Sequence, residues 1–380
     1  MDIKDYKYDL EFFYSNLLNH PAFLTGDKKQ TEFQILFENI RTNVQDHDSF
    51  IDALSSMTMF FEDGHTNIEL PYTSQDLCLN LRCSWNEINY DELLLDEDYE
   101  DIPKGSRILS VEDKNVDEII YRLAEWIPHE NIYLVKSRMI HYPYRNYHMF
   151  SEMNLKKLFG SKEKYHITFD VNGNVMSKDI MLEKYNGVAD FIPDEDFLTY
   201  EVLNDTVIMH LNTCIYNEDY KNTLRKLADI CNTQNINTFI LDLSKNMGGD
   251  SSVIEAFIQY TRTKKYHLFE MTDYSSGEAN TIVSRAKEVI NSQQKRLFPD
   301  KIICKVSHDT FSSARTFAVT LLDNGIATVC GPPIGGKPNS YGMPRKMNLP
   351  KSNIRFRVSR AYFMRPNVGN DREMTIGGKP

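Results

Sequence analysis

Between residues 196 and 365 short apolar runs alternate with amphipathic ones, and this alternation constrains the fold more than any other feature of the chain. Residues 207–211, 238–243 (TFILDL), 302–306 and 327–330 read as strands, and 219–231, 251–260 and 313–322 read as helices. A strand followed by a helix and then another strand is the signature of a crossover unit. Repeated units of this kind give a parallel sheet with helices packed on its faces. The spacing therefore predicts an α/β domain over 196–380.

The rest of the chain lacks that rhythm. Over residues 1–70 apolar side chains recur at helical spacing: Leu10, Phe13, Leu17 and Leu18, then Phe33, Leu36 and Ile40, then Phe50, Ile51, Leu54, Met57 and Phe61. They predict a helical N-terminal bundle whose third helix is capped by Asp48 or Ser49. Residues 71–195 read as a mixed α+β middle region. Strands are expected at 79–82 and 93–95, a turn into a strand at 105–111, a helix at 116–126, and a hairpin of 165–170 with 175–181 around Asn172-Gly173.

The 380 residues carry a formal net charge of −11 with the acids dispersed, which disfavours nucleic acid and anionic membranes as main partners. No apolar run approaches the roughly 18 residues of a membrane-spanning helix, and the acidic start MDIKDYKYD is unlike a secretory leader. The six cysteines form no CxxC pair, so a zinc site is not expected and a reducing, cytoplasmic setting is the simplest expectation.

In an open parallel sheet reactive groups gather beyond the carboxyl ends of the strands. Two such junctions stand out. In Leu241-Asp242-Leu243-Ser244-Lys245-Asn246-Met247-Gly248-Gly249 the paired glycines let the backbone turn and aim N–H groups at a ligand oxygen. An ordinary glycine turn reads the same way. In Thr310-Phe311-Ser312-Ser313-Ala314 a hydroxyl sits where a helix begins and developing negative charge is favoured. Serine is also the commonest helix cap, which is the plainer explanation. A serine nucleophile needs a base. The candidates are Lys337, in the glycine-rich loop GGKPNSYG, and His65, in Asp63-Gly64-His65-Thr66 at the end of the helical region.

Taken in order, DGHT (63–66), LDLSKNMGG (241–249), TFSSAR (310–315) and GPPIGGKPNSYG (331–342) resemble the motifs of the tail-specific, or C-terminal-processing, serine peptidase family. Its relatives include the tricorn-protease core and the retinoid-binding-protein modules. The resemblance implies a crotonase/ClpP-like parallel-sheet catalytic domain. The middle region then stands where many members carry a PDZ-like module, here reduced or absent. It further implies Ser312 as nucleophile, with an oxyanion hole from the backbone of Gly248 or Gly249 together with the Ser313 N–H. The base would be His65 in triad members, with Glu373 as the third member, or Lys337 in dyad members. The GGKPNSYG loop looks more like the branch lacking a full PDZ domain, which favours His65. Ser244 and Arg315 depart from the family, standing where arginine and glutamate are usual.

The function expected is hydrolysis of peptide or protein substrates with no metal and no organic cofactor, and a homo-oligomer is compatible with the sequence. A catalytically inactive protein on the same scaffold, binding a peptide or an apolar ligand, is the alternative. A crotonase-like acyl-CoA enzyme would share the sheet and the oxyanion donors but not the serine, histidine and lysine positions.

Overall fold

The computed structural model describes residues 1–87, 90–141, 144–187 and 197–377. They form two compact units: Met1–Leu18, Gln30–Ile192 and Lys346–Arg357 make one, and Asn19–Lys29, Pro193–Arg345 and Val358–Pro380 the other. The end of the predicted middle region, 188–195, lies outside the described residues.

The first unit opens with the helices Ile3–Leu17, Gln30–Arg41 and His47–Met59. Leu10, Phe13 and Leu17 bury one face of the first, and Phe33 and Phe37 one face of the second. Tyr14 stacks on Phe37 with ring centroids 4.0 Å apart. The third helix starts earlier than the sequence suggests. Asp46 is its cap and accepts from the Ser49 amide, while the Asp46 amide donates to Ser49 Oγ. The capping box outcompetes Asp48 and Ser49 as caps because it satisfies two otherwise unpaired amides at once.

The middle of this unit is an antiparallel sheet ordered Cys83–Trp85, Leu93–Leu95, Arg107–Val111, Lys164–Val171 and Asn174–Met181. The last two strands form the expected hairpin, and Asn172 and Gly173 both take positive φ, 53° and 88°, as a tight two-residue turn requires. The helix Val116–Leu123 packs on this sheet through Ile119, Ile120 and Leu123. Residues 79–82 are not a strand. Leu79 and Leu81 are buried, but the Leu79 amide bonds the Phe150 carbonyl across a loop. Helices at Ile132–His141 and Glu152–Phe159 were not legible in the sequence. The first buries Lys136 and Arg138, which interrupts the apolar period that would announce it.

The three-part division of the sequence is redrawn by contacts between distant segments. Both Asp9 carboxylate oxygens accept from the amides of Lys351 and Ser352, at 2.8 and 2.7 Å. Phe13 meets Phe356 edge-on at 5.0 Å, and Asn67–Glu69 pairs with the strand Arg355–Val358. A late segment thus completes the early unit, which a reading along the chain cannot see.

The second unit holds the predicted α/β sheet. Its order is Leu198–Leu203, Thr206–Leu211, Thr238–Asp242, Lys301–Lys305 and Thr328–Cys330. The last four strands run parallel and the first antiparallel. The helices Glu218–Thr233, Ser252–Ile258 and Ser313–Asp323 are the crossovers. Phe239, Phe257, Phe298 and Phe317 interlock in the core, with Phe239 and Phe298 centroids 4.2 Å apart and Phe257 edge-on to Phe317 at 5.3 Å. Truncating any one of these rings costs about 3–5 kcal/mol. A second sheet, Asn280–Val283, Glu270–Asp273, Ala361–Met364 and Ser340–Gly342, has no counterpart in the sequence reading. Among the described residues no helix is long and apolar enough to cross a membrane.

Candidate active site

The strands Thr238–Asp242 and Lys301–Lys305 are parallel neighbours, so their carboxyl ends open on the same edge of the sheet. The two glycine and serine junctions picked out by the sequence are therefore adjacent. They are also bonded together. Thr310 Oγ1, fully buried, donates to the Leu243 carbonyl at 2.8 Å, and the Phe311 amide donates to the Asn246 carbonyl at 3.1 Å. Ser313 Oγ donates to the Gly249 carbonyl at 2.7 Å.

Ser312 sits at the N-cap position, just before the Ser313–Asp323 helix, with φ 53° and ψ −124°, and its side chain makes no capping hydrogen bond. The plain helix-cap explanation of this serine therefore fails. A capping residue has an extended backbone and turns its oxygen to the first-turn amides, whereas this backbone is one that L-residues occupy at a cost of order 1–3 kcal/mol. Gly248 explains how the position is packed. Its φ is 112°, and a Cβ there would lie 2.6 Å from Ser312 Cβ and 3.1 Å from the Ser313 amide nitrogen. Gly249 is equally constrained: a Cβ there would lie 2.2 Å from the Cys214 carbonyl oxygen.

Asn246, fully buried and quoted in the motif but given no role by the sequence, shapes the turn. Its Oδ1 accepts from the Gly248 amide at 2.8 Å and its Nδ2 donates to the Leu211 carbonyl at 2.7 Å. The Gly248 N–H is thus engaged. Ser313 opens its helix, so its amide has no intrahelical acceptor. Of the three backbone donors singled out in the sequence, Gly249 and Ser313 are the pair not committed to Asn246. Cys214 lies beside them in a bridge with Gly249. Burial pushes its thiol up to about 12, so it stays protonated and is no rival nucleophile at neutral pH.

The two departures from the family pattern are accommodated locally. With Ser244 in place of arginine, Asp242 faces His210 Nδ1 at 3.2 Å and Lys305 Nζ at 3.5 Å, and accepts from the Ser244 amide. Arg315 is buried, lies 5.2 Å over the Phe311 ring and donates to Ser340 Oγ.

Lys337 is half-buried on a loop fixed to the residues preceding Ser312. His308 Nδ1 lies 2.7 Å from the Pro333 carbonyl, the Gly335 amide donates to the His308 carbonyl, and the Ile334 amide donates to Ile376. Glu373 is half-exposed and lies 3.2 Å from the guanidinium of Arg365, which is itself buried against Asp323. His65 belongs to the other unit. Its side chain is 11% exposed, and its Nδ1 faces Asp63 Oδ1 at 3.6 Å and Glu130 Oε1 at 3.9 Å. Glu130 was missed by the sequence reading, since Pro128-His129-Glu130 carries no motif.

Residues 205–374 match the model of Peptidase family S41. No curated protein sequence matches the chain. Among solved structures, mature CPAF complexed with lactacystin aligns over 96% of this chain and 90% of its own, with a TM-score of 0.66 and 12% identity. A mutant CPAF aligns over 100% and 91%, with a TM-score of 0.68 and 12% identity. The photosystem II D1 C-terminal processing protease aligns over 99% and 93%, with a TM-score of 0.50 and 11% identity. At such identities these structures speak to the fold. The family match covers residues 205–374, less than half of the chain, and over that stretch the chain is similar to serine peptidases of family S41.

Proposed function

We propose that the chain hydrolyses peptide bonds in peptide or protein substrates by acyl transfer through Ser312. The observation that carries this reading is the Ser312 backbone, held at positive φ against Gly248 and not used as a helix cap. Ser312 Oγ attacks the scissile carbonyl carbon and its proton passes to a base. The carbonyl oxygen becomes an oxyanion facing the Gly249 and Ser313 amides. Collapse of the intermediate breaks the C–N bond, and the base returns the proton to the leaving amine. Water then repeats the sequence on the acyl-enzyme. No step calls for a metal or an organic cofactor.

His65 is favoured as the base and Lys337 is the second candidate. A carboxylate facing Nδ1 favours the tautomer that leaves the Nε2 lone pair for proton transfer, and His65 has two such neighbours.

The test is labelling by a fluorophosphonate probe, which reacts with activated serines. Wild type is expected to label and Ser312→Ala to lose the label with its fold intact. Persistent labelling of Ser312→Ala would sink the assignment. Loss of labelling in His65→Ala but not in Lys337→Ala selects the histidine. A folded wild type that never labels would favour a binding protein on this scaffold.

A further inference from the structure

We infer that Glu130 is the positioning carboxylate of His65, holding the imidazole for proton transfer in place of the late glutamate Glu373; this rests on the reading of His65 as the base.

Two buried carboxylates face the same ring nitrogen, but they do different work. Asp63 Oδ1 accepts from the His65 backbone amide at 2.8 Å and Asp63 Oδ2 from Thr66 Oγ1 at 2.7 Å. Asp63 is thereby the side chain that folds the DGHT turn, and it lies near the ring because it is two residues away. Glu130 arrives from a separate loop, after the helix Val116–Leu123, and only the tertiary structure brings it to His65. Its side chain is 3% exposed. A carboxylate in that setting is a strong local field, since little water screens it.

The two loops are fixed to one another by a third buried group. Arg138, on the helix Ile132–His141, donates one guanidinium nitrogen to the Gly64 carbonyl and another to the Pro128 carbonyl. It is 2% exposed and lies 5.2 Å over the Tyr147 ring. One cation thus bridges the residue before His65 and the segment that carries Glu130. Glu373, by contrast, is ion-paired with Arg365 and half exposed to solvent. The separation of 3.9 Å between Nδ1 and Glu130 Oε1 is longer than a hydrogen bond. Such contacts commonly tighten when substrate closes the site.

The experiment measures the rate of fluorophosphonate labelling, split into the limiting rate and the half-saturating probe concentration, for Glu130→Gln, Glu130→Asp, His65→Ala and the His65→Ala/Glu130→Gln double variant. Unfolding midpoints are measured on each. Glu130→Gln is expected to lower the limiting rate on the order of 10²-fold, with half-saturation nearly unchanged. Glu130→Asp, which keeps the charge, recovers part of the rate. In the His65→Ala background Glu130→Gln has no further effect, because a group acting through histidine has nothing left to act on. A loss of the same size in both backgrounds, or one confined to the unfolding midpoint, would mean a structural role and overturn the inference. So would a normal rate in Glu130→Gln beside an inert His65→Ala, or the same coupling found for Glu373→Gln instead. Full labelling of His65→Ala would instead remove the reading beneath it, and the inference with it.

Discussion

A Cβ placed on Gly248 would meet Ser312 Cβ at 2.6 Å, so these two residues occupy space that only a glycine and a small side chain can share. The contact joins the turns that follow two parallel neighbouring strands.

Gly248→Ala is therefore expected to displace Ser312 and reduce fluorophosphonate labelling by roughly 10²-fold or more, since misplacement by about 1 Å costs that much. Gly277→Ala is the control. Gly277 has φ 81° but nothing within 4 Å of a built Cβ, so the variant should lose a little stability and no labelling. Equal labelling rates in the two variants would show that the close approach is unimportant.

Ser312 itself carries backbone strain at φ 53°. Ser312→Gly should abolish labelling and raise stability by about 1 kcal/mol, because glycine adopts that conformation without steric cost. Thermal unfolding of Ser312→Gly against Ser312→Ala reads the difference; a lower midpoint for the glycine variant would contradict the strain.

Asn246→Ala leaves the Gly248 amide and the Leu211 carbonyl without their partner in a buried site. A loss of about 2–4 kcal/mol is expected from two such groups. The labelling rate should fall as well, because the turn presenting Gly249 is no longer pinned. Asn246→Asp keeps the acceptor for Gly248 and should retain more activity than the alanine variant. Chemical denaturation and probe kinetics on the pair test both statements.

His148 is buried against the Tyr72 hydroxyl, 2.9 Å from its Nδ1, and desolvation depresses its folded-state titration to about 3 from the usual 6.5. The unfolded chain binds the proton first, so stability is complete above about pH 6.5 and declines as the pH falls towards 3. Between pH 6.5 and 5 the contribution lost is about 2 kcal/mol at most, at 1.36 kcal/mol per unit. His148→Gln should be less stable at pH 7 but show a shallower acid dependence in urea titrations. Parallel curves would mean that the ring protonates freely in the folded state.

The alternation of apolar runs and helices over 196–365 sufficed for the parallel sheet, because crossover connections leave a local pattern in every strand and helix. The serine and glycine junctions were legible for the same reason: each is a short stretch at a strand end, where the backbone must turn and where a parallel sheet collects its chemistry. What lay beyond the sequence is long-range. The second sheet brings 270–283 against 340–342 and 361–364, the segment 346–357 returns to the first unit, and Glu130 is carried to His65 by a loop with no motif. The use of Ser312 was also undecided, since a cap and a nucleophile occupy the same position at a helix start. Only the tertiary structure shows that Ser312 does not cap the helix. Packing against Gly248 holds the serine backbone at positive φ and keeps its side chain from capping, a conformation that no local preference of serine selects.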